Sequence, residues 1–474
     1  MGMSELPNGW MCIAVSQVCA ILRGVTYNKM ESSHDPQPGY VPVLRANNIQ
    51  EGKLVFSDLV YVPESCVAAQ QLIKAGDVVV AMSSGSKSMV GKAAKAGSDW
   101  LGSFGAFCGV LRPSNEIDPR YFYFFSQSAE YRSCVSELSA GVNINNLKPA
   151  HFDLIEIPVA PRTEQNRIAQ KLDELLAQVD TLKARIDAVP VLLKRFRQSV
   201  LASATSGRLT EEWRALRISR EITAEQTCGD GSFPPGWKVR PLKKLVTKIE
   251  QGWSPKCESV SASDDEWAVI KTTAIQPISF GPLENKKLPT TLLPRPELTI
   301  VVGDILITRA GPRSRAAVCC YVKATQPKLM VCDKAYRFKA IEEEFSGLLL
   351  CYFLNSPQFV RALDDLKTGI SESGVNLTMK KFQDLELPQP PTEEQTEIVR
   401  RVEQLFAFAD QLEAKVASAK SRIDHLTQSI LAKAFRGELV PQDPNDEPAS
   451  VLLKRIKAQR AAAPKAKRGR KVSA

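Results

Sequence analysis

The sequence predicts two compact α/β or α+β domains in a pseudo-twofold repeat, separated by two long antiparallel coiled-coil helices. Three observations support this fold class. The chain has 474 residues, more than a single hydrophobic core usually serves. A thirteen-residue segment occurs twice. Each copy ends a long stretch in which apolar residues recur with heptad spacing, the pattern of helices that pack along a seam.

The repeat has a constant offset of 230 residues. Residues 198–210 read QSVLASATSGRLT and residues 428–440 read QSILAKAFRGELV, with seven of the thirteen positions identical. At the same offset, IPVAPRTEQNRI (157–168) matches LPQPPTEEQTEI (387–398). Two separate segments in one register indicate a duplicated unit rather than a chance similarity.

A predicted helix lies between the repeated segments of each copy. Apolar positions step by four and three residues through 168–200 and again through 398–430, which predicts two helices with continuous apolar seams. The first helix, roughly 48 Å long, carries the chain away from the first head, and this connectivity favours a second helix that runs back antiparallel to it.

Residues at the ends of these stretches predict where each helix begins and ends. Thr163 and Thr392 are predicted N-caps, and Gly207 and Gly437 are predicted C-cap glycines. Pro190 lies inside the first helix, where its missing N–H is expected to kink or break the helix.

The region before each helix repeats more faintly and predicts a globular head. LPNGW (6–10) matches FPPGW (233–237), and AGDVVVAMSSG (75–85) matches VGDILITRAG (302–311). Short β-branched runs, Gly-Asp turns and amphipathic stretches predict mixed α and β structure. The predicted segments are a first head (1–162), a first spacer helix (163–205), a linker (206–232), a second head (233–391), a second spacer helix (392–436) and a C-terminal segment with a basic tail (437–474).

The net charge of +10 is concentrated at one end of the chain, since residues 454–474 carry nine positive charges and no acid. This tail is expected to be either a solvated end or a nucleic-acid arm. No apolar run approaches the roughly 20 residues of a membrane span, and no signal peptide is visible, so a cytoplasmic protein is expected.

Catalytic and metal sites are not predicted. The eleven cysteines include no C-x-x-C pair, the chain has three histidines, and Cys319-Cys320 is expected to lie in a buried strand. The segment GSKSMVGKA (85–93) departs from a phosphate-binding loop in its spacing and in Ala93. No Asn/Asp-Pro-Pro-aromatic segment of an adenine methyltransferase is present.

Several features resemble the DNA-specificity subunit of type I restriction-modification enzymes. They are the helix entries PRTEQNRI (161–168) and PTEEQTEI (391–398), the long helices, the Q-S-[IV]-L-A-x-A-x-x-G-x-L exits and the P-x-G-W start of each head. The resemblance covers nearly the whole chain. It implies that the heads are target recognition domains, each reading half of a split double-stranded DNA site, with the helices as spacer and docking surface.

The resemblance also implies the partners and their cofactors. Two methyltransferase subunits would bind S-adenosylmethionine, and restriction/translocase subunits would use ATP and Mg²⁺. This chain would be a non-catalytic recognition subunit that binds no cofactor. Because the heads differ in sequence, the expected target is asymmetric and bipartite. The alternatives are a coiled-coil scaffold that binds nucleic acid through its basic tail and a fused restriction-methylation protein.

Two pairs of aligned segments are the candidate DNA contacts, because cations, amides and hydroxyls on turns after strands can approach a groove. Solvated loops and turn-forming residues remain the alternative. The candidates are Arg45, Asn47, Asn48, Ser83, Ser84, Ser86, Lys87, Ser88 and Lys92 in the first head, and Lys271, Thr272, Thr273, Thr308, Arg309, Arg313, Ser314 and Arg315 in the second.

Two further repeated pairs have other expected roles. Trp10 and Trp237 follow Pro-x-Gly at the start of each head and are expected to pack as aromatic anchors. Glu164-Gln165 and Glu394-Gln395 lie in the first helical turn, where they either favour the helix dipole or dock a partner subunit.

Overall fold

The computed structural model describes residues 6–140, 145–218, 233–369 and 372–462. The chain forms two units, Met1–Ile186 with Ser418–Ala474 (the first unit) and Asp187–Ala417 (the second unit). None of the helices in the described ranges is long and apolar enough to cross a membrane. The α-helices are α1 (Val15–Val18), α2 (Pro119–Gln127), α3 (Ala129–Leu138), α4 (Arg162–Thr205), α5 (Glu211–Ile218), α6 (Gly347–Leu354), α7 (Pro357–Asp365), α8 (Met379–Gln383), α9 (Thr392–Phe435) and α10 (Ala449–Ala462).

The first unit contains a four-stranded antiparallel sheet in the order β2-β11-β7-β9 and a three-stranded sheet in the order β10-β3-β6. Three two-stranded sheets, β1-β13, β12-β8 and β4-β5, complete it. The strands are β1 (Met11–Ala14), β2 (Cys19–Arg23), β3 (Tyr40–Leu44), β4 (Ile49–Gln50), β5 (Lys53–Leu54), β6 (Val60–Pro63), β7 (Val78–Ala81), β8 (Ser83–Ser84), β9 (Ala93–Lys95), β10 (Ser103–Phe104), β11 (Cys108–Pro113), β12 (Asn145–Asn146) and β13 (Glu156–Val159).

The second unit repeats this plan. Its four-stranded sheet has the order β15-β22-β18-β20, and its smaller sheets are β17-β16-β21, β14-β25 and β19-β24-β23. The predicted fold class, a mixed α and β repeat with two long helices, is therefore confirmed. The strands are β14 (Lys238–Pro241), β15 (Glu250–Gln251), β16 (Ala268–Ile270), β17 (Asn285–Lys287), β18 (Ile305–Thr308), β19 (Ala310–Gly311), β20 (Cys319–Tyr321), β21 (Leu329–Met330), β22 (Ala335–Phe338), β23 (Lys367–Thr368), β24 (Val375–Leu377) and β25 (Glu386–Gln389).

A strand in which every residue is buried lies at the centre of each four-stranded sheet. In β7, Val78 and Val80 face the helices while Val79 and Ala81 face the three-stranded sheet, and all four are fully buried. The second unit has the same arrangement in β18. Burial on both faces explains why these strands lack alternating polar residues. Cys319 and Cys320 lie in the buried strand β20, as expected.

The two long helices run antiparallel within each unit. In the first unit, Lys183 of α4 lies 3.9 Å from Asp424 of α9, and Arg167 contacts Asp446 beyond the end of α9. In the second unit, Arg197 pairs with Asp410 and Glu413 at 2.5 and 2.8 Å. Farther along the chain in that unit, Arg401 of α9 donates to the carbonyl of Leu209, just after α4. Higher numbers on one side meet lower numbers on the other in both units, which confirms the predicted direction.

The ends of the predicted heptad seams pack on the heads. Ile168 and Leu172 of α4 belong to the core of the first unit, and Ile398 and Val402 of α9 belong to the core of the second. Leu182, at a predicted seam position, is 46% exposed. The heptad pattern therefore reflects packing on a head at one end of each helix and packing on the other helix elsewhere, and not one uninterrupted coiled coil.

The predicted helix stops are confirmed, whereas the starts differ. Gly207 and Gly437 follow the helices with φ of +76° and +75°, the left-handed conformation that glycine adopts without strain. α4 begins at Arg162 and α9 at Thr392, so Thr163 lies inside its helix and donates its hydroxyl to Asp446. Of the kink or break predicted at Pro190, the break is wrong, because α4 continues through this residue to Thr205.

Each helix exit lies against the P-x-G-W start of a head. A Cβ added to Gly437 would come within 2.3 Å of Pro7 Cγ, and one added to Gly207 would come within 2.4 Å of Pro234 Cγ. The second copy of the repeated segment therefore packs on the start of the first head, within the first unit. The first copy packs equivalently on the start of the second head.

Two segments expected to lack structure contain helices. α5 occupies 211–218 within the predicted linker, where Arg214 contacts Glu394. α10 contains the first four cations of the predicted tail, and its Leu452 and Ile456 are buried in the first core. Arg460 donates to the carbonyl oxygens of Ser16 and Cys19 at 2.8 Å each. Residues 454–462 are therefore a docked helix, while 463–474 lie outside the described residues.

Candidate nucleic-acid interface

A cleft in the first unit brings the two candidate segments of that head together. It has a volume of about 570 Å³, and we call it the first cleft. Arg45 and Asn47 line it from the turn after β3, and Ser83 lines it from β8. Its wall also contains polar and charged residues of the segment after β2, and apolar residues that include 105–108. The polar and charged residues of that segment are Thr26, Tyr27, Lys29, Ser32 and His34.

Asp58 organises the Arg45 turn. Arg45 Nη2 donates to the Asp58 carboxylate at 2.7 Å, and Asn47 Nδ2 donates to the same oxygen at 3.0 Å. The Arg45 side chain is 33% exposed, and its Nε is buried without a hydrogen-bond partner within the described ranges. The turn therefore presents a fixed guanidinium and an exposed amide at the cleft.

The Asn48 side chain is buried and stabilises the turn, so it is not part of the surface. It is 1% exposed, its Oδ1 accepts from the Arg45 backbone N–H, and its Nδ2 donates to the carbonyls of Val55 and Ser57 at 2.8 and 2.7 Å. A side chain with both ends bonded internally has no group to offer a base. The prediction that Asn48 contacts DNA does not fit this burial.

The remaining candidates of the first head lie at the end of β8 and on the loop between β8 and β9. Ser86, Lys87 and Ser88 are exposed, while Ser84 and Lys92 are half-buried. The hydroxyls of Ser86 and Ser88 lie 2.9 Å apart, and Arg132 donates to the carbonyls of Ser88 and Val90. The loop thus exposes one cation and two hydroxyls on a backbone anchored from α3.

A cleft in the second unit contains Lys271 and Thr272. Its volume is about 340 Å³, and we call it the second cleft. Lys286 and Lys334 also line it, together with Ser254 and Asp333. Thr273 lies beside it and donates its hydroxyl to Glu284 at 2.7 Å. Three lysines against one carboxylate make this lining basic, as a phosphate backbone requires.

The predicted turn segment of the second head is largely occupied by internal bonds. Thr308 is fully buried, and its hydroxyl bonds to the Arg315 carbonyl and the Val318 N–H. Arg315 donates to the carbonyls of Thr272 and Ile275 at 2.8 Å each. Thr308 and Arg315 therefore connect the candidate segments to each other, which does not fit the predicted contact with DNA.

The other residues of that segment differ in exposure. Arg309 Nε donates to the Asp333 carbonyl at 2.7 Å, and Arg313 pairs with Asp364 at 3.0 Å. Ser314 is exposed. Arg309 is thus held against the segment before β22 that lines the second cleft, whereas Arg313 is held by α7.

The repeated Glu-Gln pairs form the same buried joint in both units. Trp10 Nε1 donates to Glu164 at 2.9 Å, and Trp237 Nε1 donates to Glu394 at 2.8 Å. Gln165 accepts from the Asp118 N–H, and Gln395 accepts from the Ser346 N–H. All four acidic and amide side chains are at most 3% exposed. They join helix to head, and partner docking through them does not fit this burial. The expected packing role of the two tryptophans is confirmed.

The two glutamates differ in how their second oxygen is satisfied. Glu394 Oε1 accepts from Thr210 Oγ1 at 2.7 Å and from Arg214. Glu164 Oε1 is buried with no hydrogen-bond partner in the described part of the chain. Burial raises the pKa of Glu164 above its usual 4.5, although the Trp10 bond opposes the shift. The first unit therefore contains a carboxylate that is less well compensated than its repeat counterpart.

Glu164→Gln and Glu394→Gln are expected to change stability in opposite directions at neutral pH. The folded pKa of Glu164 is raised, so the stability that this residue contributes is fully present below its unfolded pKa. That stability is lost as the pH rises through the folded pKa. At pH 8, E164Q should therefore have a higher melting temperature than the parent chain, and this difference should be smaller at pH 4. E394Q should cost about 3 kcal/mol, because Arg214 loses its buried anion. Thermal unfolding from pH 4 to pH 8 measures both, and identical pH profiles for E164Q and the parent chain would contradict the account.

Sequence reasoning missed several residues that line the clefts. Tyr27, Lys29, His34 and Phe107 in the first unit, and Lys334 in the second, were not among the candidates. They come from segments with little identity between the repeats. The equivalent positions of Phe107 before β11 and Lys334 before β22 are visible only in the sheet register.

Comparison with known proteins gives a consistent match. The model of the type I restriction modification DNA specificity domain matches residues 7–190 and 234–419. The type I restriction enzyme EcoKI specificity subunit of Escherichia coli K12 is 40% identical, with all of both chains covered. The StySPI specificity subunit of Salmonella potsdam is also 40% identical, covering 99% of this chain and all of the relative.

Solved structures show the same fold at lower identity. A chain from a structure of the type I R-M system covers 92% of this chain and all of its own length, with 18% identity and a TM-score of 0.61. The HsdS subunit from Thermoanaerobacter tengcongensis covers 92% of this chain and 99% of its own, with 19% identity and a TM-score of 0.52. With two domain matches, full-length relatives and the duplicated head-and-helix plan, the chain belongs to the family of type I restriction-modification specificity subunits.

Proposed function

We propose that this chain reads an asymmetric bipartite sequence in double-stranded DNA, one half through each head. The observation that carries the proposal is the duplicated cleft. Both units have a cleft beside the turn after their β3 or β16 strand, and the linings differ in chemistry. Equivalent surfaces with different hydrogen-bonding groups suit two different base sequences.

The proposal extends to partners and cofactors. Two methyltransferase subunits would dock on the spacer helices and bind S-adenosylmethionine, and restriction/translocase subunits would bring ATP and Mg²⁺. This chain supplies recognition without catalysis, in the cytoplasm. The target recognition domains would be residues 1–162 and 233–391. The exposed candidates Asn47, Ser86, Lys87, Ser88, Thr273 and Ser314, with the cleft residues Arg45 and Lys271, would form the DNA surface.

Methylation mapping of the chain in complex with its methyltransferase partner tests this function. The expected result is methylated adenine within one two-part sequence whose halves differ. Absence of any sequence preference would remove the proposal.

Deleting residues 464–474 separates the proposal from a scaffold that binds nucleic acid through its tail. Site choice should remain nearly unchanged, because the clefts are intact. The salt dependence of affinity should weaken only by the phosphate contacts of the tail. Loss of all DNA binding in the truncated chain would instead support the scaffold.

A further inference from the structure

One position in the cleft wall is equivalent in the two units but is occupied by chemically different residues. In the first unit, the N–H of Met82 donates to the Phe107 carbonyl at 2.8 Å; in the second, the N–H of Arg309 donates to the Lys334 carbonyl at 2.8 Å. The next residues pair in the same register, Cys108 with Ala81 and Ala335 with Thr308. Phe107 and Lys334 therefore occupy the same place in the repeat.

Phe107 is exposed in a way that its fold does not require. Phe107 is 69% exposed, and it follows the small residues Gly105 and Ala106. A large exposed aromatic ring beside a guanidinium and an amide is typical of a binding surface. The cleft around it contains Arg45, Asn47 and Lys29.

At the equivalent position of the second unit, Lys334 places a cation where the first unit has an apolar ring. It is exposed and shares the second cleft with Lys271 and Lys286. Its ammonium can donate to the O6 and N7 acceptors of guanine, whereas a phenyl ring can make only apolar contact, for which the thymine methyl group is suited.

We propose that Phe107 and Lys334 are equivalent specificity-determining residues, Phe107 selecting a thymine in one half of the target and Lys334 selecting a guanine in the other. The inference rests on the proposed function and adds to it the residue in each head that distinguishes the two halves. The divergence of this one wall position then contributes directly to the asymmetry of the target.

Methylation mapping on a randomised duplex library tests the pair, with the chain variant in complex with its methyltransferase partner. Phe107→Ala should reduce discrimination at one thymine about tenfold, within the range of one good base contact, and leave the other half unchanged. Lys334→Ala should do the same at one guanine of the other half. Phe107→Leu, which keeps apolar bulk, should retain the thymine preference.

Two leucines provide controls of matched exposure. Leu101 and Leu293 are 85% and 87% exposed and do not line the clefts, so L101A and L293A should leave every base preference intact. A parent complex without a two-part target would remove the proposed function itself. A two-part target that F107A and K334A leave unchanged would overturn this inference alone, as would equal loss in F107A and F107L.

Discussion

Trp237→Ala is expected to lower the free energy of unfolding of the second unit by about 3–5 kcal/mol, the range for a buried aromatic residue. Trp237 is 5% exposed and lies with its ring centroid 6.3 Å from those of both Phe233 and Phe353. Its indole N–H is also a donor to the buried Glu394. The substitution removes aromatic packing and leaves a carboxylate with one donor fewer.

Denaturant unfolding of W237A and W237F measures these two contributions separately. W237F keeps most of the ring volume and loses the donor, so a smaller loss of about 1–3 kcal/mol is expected. Trp10→Ala should act equivalently on the first unit, because Trp10 is 6% exposed and donates to Glu164. A loss below about 1 kcal/mol in W237A would contradict the assigned joint between helix and head.

Removing one facing heptad from each long helix is expected to shorten the gap between the half-sites by about three base pairs. Seven residues of helix span roughly 10 Å, and a base pair rises about 3.4 Å. The deletions 190–196 and 411–417 both lie in the second unit and leave the pair Arg197–Asp410 in place. They also restore heptad spacing across each junction, since Val189 is followed by Val200 and Ala409 by Ala419 at seam positions.

Methylation mapping of the doubly deleted chain measures the gap and the bases together. The bases of both halves should stay the same, because no cleft residue is removed. A variant that lacks only 190–196 is the control, and it should lose activity because the helices no longer match in length. Altered bases with an unchanged gap would contradict a spacer role for α4 and α9.

Most of what the sequence predicted about the fold came from its internal repeat. One offset aligned the helix entries and exits, and the structure places matching sheets in both units. Heptad spacing did not distinguish a helix partner from a head, because Ile168 and Leu182 occupy the same pattern. One is buried in a head and the other is 46% exposed.

The candidate site was predicted only in part, for a reason of residue chemistry. Asn47 and Asn48 are adjacent amides on a turn, and either could bond to a base or to the backbone. Tertiary structure decides between them by turning Asn48 inward to three internal bonds. Phe107 was missed because the strand register between β7 and β11 brings it to the cleft wall, and its partner position Lys334 shares no identity with it.

Exchange of the first head tests most directly whether each unit reads its own half of the target. Residues 6–160 would be replaced by the corresponding segment of a specificity subunit with 40% identity, and the chimera would be mapped with its methyltransferase partner. We expect one half of the target to change to that of the donor while the other half and the gap remain. A change in both halves, or in neither, would contradict the account.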